Sequence, residues 1–205
     1  MLKWIGVTSL VVMALALGAC APKSQDSCGF VQNSYGERVS WKAEVPVTMY
    51  LHTSVPEEYV GAIVSAAQTW EKSAGRKLFN IVTTPRVSGP NSPRQDGKNV
   101  IYFMDTWETE RGSEQARTSV LWRGDQINET DIRVNTKDFT FYWNQSKSGS
   151  SVNIEALILH EMGHVLGLKH NDDKAASSVM QTYLRSGDDR TEPSATDTTD
   201  LKCEY

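Results

Sequence analysis

From Leu157 to His170 the chain reads LILHEMGHVLGLKH, and this stretch restricts the possible folds more than any other. Ile154, Leu157, Ile158 and Val165 recur at helical spacing, so the segment forms a helix with one buried face. Asn153 or Ser151 can cap its start, and Glu155 suits its first turn, where the helix dipole favours an anion. Four residues apart on such a helix, His160 and His164 project side by side. Gly167 tolerates the positive φ that turns a chain sharply out of a helix, so His170 can fold back beside the pair. Only 4 histidines occur in the 205 residues, and three of them meet at this bend.

Two imidazoles so placed can grip one ion at about 2.0–2.1 Å each, and the third fills another corner of a zinc tetrahedron. Three neutral histidines with the fourth corner open form a catalytic arrangement rather than a closed structural one. Glu161 points about 100° further round the helix, beside the ion but not on it. A carboxylate there can take a proton from water that the metal has acidified. His160 and His164 alone would be at home on any helix surface. The five fixed positions His-Glu-x-x-His-x-x-Gly-x-x-His turn them into a metal site with a base attached.

Residues 1–19 stand apart from the fold and read as a secretory signal peptide. Lys3 gives a positive start, and Trp4 to Leu17 is an apolar run broken only by Thr8 and Ser9, too short for a transmembrane helix. The ending LGAC resembles the lipobox of bacterial lipoproteins, which implies that Cys20 becomes an acylated N-terminus on a membrane surface. Ala21, where an Asp would retain the protein, resembles the sorting signal for the outer membrane. Residues 20–40 are polar and read as a lipidated tether. The remaining length is right for one core. Net charge is −4, becoming −5 once Lys3 is lost, and no basic stripe occurs, which argues against nucleic acid as a partner. With Cys20 lipidated, Cys28 and Cys203 remain. An exported compartment permits a bridge between them, with two free thiols as the alternative.

Between the ends, VPVTMYLH (45–52), KLFNIVTT (77–84), NVIYFMD (99–105), ARTSVLWR (116–123) and ETDIRVNT (129–136) read as strands. Val60, Ile63, Val64 and Ala67 mark one face of a first helix, with Ser54 and Glu57 as a capping box and Gly75 as its stop. Residues 85–98, with three prolines, and 105–116 read as loops. Strand, helix, several strands and a second helix describe an α/β domain with a mixed sheet.

The histidine stretch, followed by SSVM with Met180 ten residues after His170, resembles the metzincin signature with its methionine turn. The matrixin branch is the most similar: LHEMGHVLGLKH, QTWEKSAG, ETDIRVNTKDFTFYW and the closing ATDTTDLKCEY all resemble its catalytic domain, so the likeness spans residues 41–205. The resemblance implies a mixed, mostly parallel five-stranded sheet with an edge strand above the cleft, two long helices and a C-terminal helix. ARTSVLWR is the candidate edge strand for pairing with extended substrate. The family further implies Met180 as a hydrophobic floor beneath the histidines. Tyr183 is a candidate for oxyanion support, with packing as its plainer role. Matrixins carry a structural zinc with a histidine in the strand that ETDIRVNT resembles; Arg133 takes that place here, so one catalytic zinc is expected. Calcium is left open, with Asp105, Glu108 and Glu110 as oxygen donors or as solvated loop residues. Cys28-Gly29 faintly resembles an inhibitory cysteine switch, with Cys203 as the competing partner.

These readings point to a monomeric, exported, lipid-anchored zinc metalloendopeptidase acting on peptide or protein substrates. The alternatives are an exopeptidase with the same chemistry and a surface lipoprotein that binds zinc without catalysis.

Overall fold

The computed structural model describes residues 25–144, 149–173 and 177–205. The expected signal segment and the expected lipidation site Cys20 lie outside the described residues. In chain order the elements are β1 (Val47–His52), α1 (Val60–Ala74), β2 (Phe79–Val87), β3 (Asn99–Met104), β4 (Ala116–Arg123), β5 (Gln126–Asn135), β6 (Phe141–Tyr142), β7 (Val152–Asn153), α2 (Ile154–Val165) and α3 (Ala195–Leu201). The main sheet runs β2-β1-β3-β5-β4, parallel except for the last pair. β4 and β5 form a hairpin, which a short turn at Gly124 (φ 65°) permits. That hairpin leaves β4 at the sheet edge, where its outer row of backbone groups has no partner strand.

Alternation along β3 divides the interior. Ile101 and Phe103 join α1 and α2 in the main core, while Val100, Tyr102 and Met104 form a smaller cluster with Trp107 on the other face. Trp70, fully buried on α1, donates its indole N–H to the Leu159 carbonyl of α2 at 2.8 Å. Glu155 in the first turn of α2 accepts from Ser65 Oγ at 2.5 Å and from Trp143 Nε1 at 2.8 Å. These contacts fasten the site helix to α1 and to Trp143 along its length.

Three expectations change. β2 continues through Pro85 to Val87, which is tolerable because β2 is an edge strand and Pro there withholds no needed donor. Ser54 does not cap α1. Its hydroxyl bonds His52 Nδ1 at 2.9 Å and accepts Phe103 N–H at 3.0 Å, and α1 begins at Val60 after a 3-10 turn at Glu57–Tyr59. Residues 25–40, the described part of the expected tether, are packed on the body. Phe30, Val39 and Ser40 are buried, Val31 N–H donates to Gly167 O at 2.9 Å, and Lys169 N–H donates to Gly29 O at 2.8 Å. The polar composition concealed a strap that buries Phe30 and Val39, while Val31 and Tyr35 stay exposed.

Cys28 is bonded to Cys203, with Cα atoms 6.2 Å apart, so the strap and the chain end after α3 are joined and Cys28 is not a zinc ligand. Arg38 adds an ion pair to Glu204 at 2.8 Å. On the far side, Arg133 of β5 reaches Glu108 at 2.9 Å and lies over the Trp107 ring at 4.7 Å, tying residues 105–111 to the sheet. Asp105 and Glu110 remain exposed, so the structure does not gather the three candidate calcium donors.

Closing a loop that spans nearly the whole fold restricts the unfolded chain, and such bridges contribute about 2–5 kcal/mol. Cys28→Ser should lower the denaturation midpoint accordingly, and Cys28→Ser/Cys203→Ser should cost no more than either single change. Urea titrations with and without reductant check this, since reductant should move only the wild type.

Candidate active site

Asn153 caps α2, its side chain accepting from the N–H groups of Glu155 and Ala156 at 3.0 and 3.2 Å. The far end of α2 leaves carbonyls without intrahelical donors. Two aromatic side chains supply them: Trp41 Nε1 donates to Val165 O at 2.8 Å, and Tyr205 Oη donates to Leu166 O at 2.7 Å. Gly167 then bends the chain at φ 99°. A Cβ there would lie 2.2 Å from the Val39 carbonyl, so the strap also depends on this glycine.

Beyond the bend the three histidines meet. His160 Nδ1 is 2.8 Å from Val179 O, and His164 Nδ1 is 2.8 Å from Leu168 O. A carbonyl only accepts, so each Nδ1 carries the hydrogen and each Nε2 presents a bare lone pair. His164 Nε2 lies 3.1 Å from both His160 Nε2 and His170 Nε2. Lone pairs so close repel unless a cation lies among them. Tetrahedral ligands at about 2.0–2.1 Å from zinc stand about 3.3 Å apart, so the donor set fits that ion. Among the described residues this is the one group of three or more His, Cys, Asp or Glu side chains poised for a metal. Burial, helped by the neighbouring His164, pushes His160 down to about 3, and burial likewise lowers His164 and His170. Neutral rings, the form that binds metal, therefore prevail near pH 7.

Met180 is 2% exposed and lies against the one helix position without a side chain: a Cβ on Gly163 would meet its Sδ at 2.2 Å. Its turn is held from below by Asp197, buried in the first turn of α3. That carboxylate accepts from Ser178 Oγ at 2.5 Å and Val179 N–H at 3.0 Å, while completing the capping box with Ser194. Since Val179 O receives the His160 N–H, Asp197 orients a ligand at one remove. The His170 loop is tied to the same turn: Asn171 N–H donates to Met180 O at 2.8 Å, and Thr182 N–H to Asp172 at 2.9 Å.

Glu161 is 4% exposed, and burial raises its carboxyl to about 7 against the opposing hydrogen bond from Thr118. That value suits a group which must take a proton and return it near neutrality. The base and the histidines open into a cleft of about 420 Å³, walled by residues 114–118 on one side and 181–184 on the other. A more apolar hollow of about 290 Å³, with Val31, Val120 and Trp122, adjoins it through Thr118 and His164. Tyr183 stands at the rim, 80% exposed, so packing is not its role here.

His160, Glu161, His164, His170 and Met180 are thus brought together at one place. Asp197, Thr118 and Gly163 were not singled out by sequence. For Asp197 a signal existed, the Ser194-x-x-Asp197 capping pattern. Thr118 meets Glu161 across 43 residues of chain and leaves no local trace.

The family model described as matrixin, peptidase M10, matches residues 29–205. Among solved structures, the chain is similar to high choriolytic enzyme 1, a hatching enzyme zinc-protease from Oryzias latipes (medaka fish). That likeness covers 88% of this chain and 96% of that one, at 13% identity and a TM-score of 0.40. No curated protein matches.

Asp197→Asn keeps the size of the side chain but turns an amide N–H₂ toward donors. It should weaken zinc binding by about 10- to 100-fold through the loosened Val179 carbonyl. Competition against a calibrated chelator measures this, and unchanged affinity would remove Asp197 from any part in orienting His160.

Proposed function

The chain belongs to the matrixin family of zinc metalloproteases, and from that membership we propose that it is an endopeptidase whose proton carrier is Glu161. The observation that carries the reading is the convergence of three Nε2 atoms with a buried carboxylate beside them. Zinc bound there supplies Lewis acidity, lowering the pKa of a water toward ~7 and polarising a carbonyl.

The chain's own residues do the rest. His160 and His164 hold their Nδ1 hydrogens away from the centre, and together with His170 they would hold the ion. Glu161 takes the proton from the attacking water and afterwards gives it to the departing amine nitrogen, so its carboxyl ends each cycle as it began. Residues of β4 offer unpaired backbone N–H and C=O groups to an extended peptide. The burial of Glu161 limits water around the base, which strengthens charge interactions within the site.

Internal cleavage is supported by the position of Thr118 within β4. The strand continues on both sides of the point where it meets Glu161, so a paired peptide would run past the base in both directions. Catalysis is favoured over mere zinc retention by Glu161 itself. Burying a carboxylate is costly, and three histidines already suffice to hold an ion. The same proposal has the protein exported and held by acylated Cys20, with the outer membrane as its site. No helix among the described residues is long and apolar enough to cross a membrane.

In a peptide-library digest read by mass spectrometry, the zinc-loaded protein should cut within chains. Glu161→Ala should lower kcat by roughly 10²–10⁴-fold or more while zinc content stays at the wild-type level. Stepwise loss of terminal residues would instead indicate an exopeptidase, and undiminished turnover in the variant would exclude Glu161 as the base. For the anchor, cells fed a fatty-acid probe should label the wild type and not Cys20→Ser. An unlabelled wild type would end the lipoprotein reading.

A further inference from the structure

Thr118 occupies a position that the general account of the site leaves without a task. It lies on β4, the strand assigned to substrate, and its side chain points at α2. Its Oγ1 is 2.6 Å from Glu161 Oε2 and 3.2 Å from the Glu161 carbonyl oxygen. Among the described residues no other side chain hydrogen-bonds this carboxylate. A buried carboxylate on a helix has several staggered rotamers to choose from, and the short bond from the Thr118 hydroxyl, with the Thr118 backbone N–H beside it, selects one of them.

We propose that Thr118 is a positioning residue for Glu161, fixing Oε2 by its hydroxyl so that the other carboxylate oxygen faces the cleft. The geometry serves both states through which the carboxyl passes in a catalytic cycle. When Glu161 is charged, the hydroxyl donates to Oε2. When Glu161 holds the proton, the hydroxyl hydrogen turns to the Glu161 carbonyl and its lone pairs remain available to the carboxyl O–H. Because the donor sits on the edge strand, the base is referenced to the same element that pairs with substrate, and the two keep a common frame. Leu121 and Trp122, a few residues along β4, flank a register shift against β5, whereas Thr118 lies in the regular part of the ladder opposite Ile132.

This inference rests on the endopeptidase reading, and the experiment separates their failures. Thr118→Val keeps the β-branched shape and removes the hydroxyl, whereas Thr118→Ser keeps the hydroxyl and removes the methyl group. With zinc-loaded full-length protein and a cleaved reporter peptide, Thr118→Val should lower kcat by about 10- to 100-fold, the factor associated with a hydrogen bond to a charged group. KM, zinc affinity and Tm should stay near wild type, and Thr118→Ser should recover most of the rate. A wild-type kcat in Thr118→Val, or a loss confined to KM, overturns the positioning role while leaving the endopeptidase reading intact. A wild type that cleaves no peptide overturns both.

Discussion

Two imidazole lone pairs, on His160 and His164, face each other at 3.1 Å with His170 Nε2 beside them, an arrangement that free histidines would not keep in the absence of a cation. The rest of the structure supplies the frame that keeps it. Two backbone carbonyls, Val179 O and Leu168 O, fix which nitrogen of His160 and His164 carries hydrogen. Each carbonyl is in turn fixed by something more distant. Asp197 grips the Val179 turn from α3, and the Leu168 segment is paired with Phe30 of the strap. The metal site is thus where α2, the methionine turn, the strap and the final helix are forced to agree.

The same frame explains why α2 can end so abruptly. Its last carbonyls are satisfied by Trp41 and Tyr205, residues near opposite ends of the chain, and the turn at Gly167 fits only because no side chain separates it from the Val39 carbonyl. Sharp geometry at the ligand cluster is therefore maintained by ordinary hydrogen bonds and close packing around it. Such second contacts govern ligand orientation in metal sites generally.

The site motif was legible because its residues lie on one helix and one bend, so spacing alone translates into geometry. The five strands and both long helices were legible for the same reason, since periodicity is local. What sequence concealed was non-local. Ser54 looked like a helix cap and instead bridges His52 and β3. The polar strap looked unstructured because only a few of its residues, Phe30 and Val39 among them, are apolar. The Thr118 contact with Glu161 joins a strand and a helix that no pattern relates. Arg133 was noticed as a replacement for a histidine, but its pairing with Glu108 and Trp107 emerges only in three dimensions.

The bond between Cys28 and Cys203 has a consequence for survival among proteases. It links positions 175 residues apart, so the body of the molecule is a covalent ring. Digestion ordinarily starts at frayed ends and exposed loop tips, and here neither end of the ring can fray. A single cut in the exposed stretch around Pro90 would open the ring to a linear chain without releasing a fragment, and both halves would still travel as one molecule. A nick there is thereby survivable until reduction parts the halves.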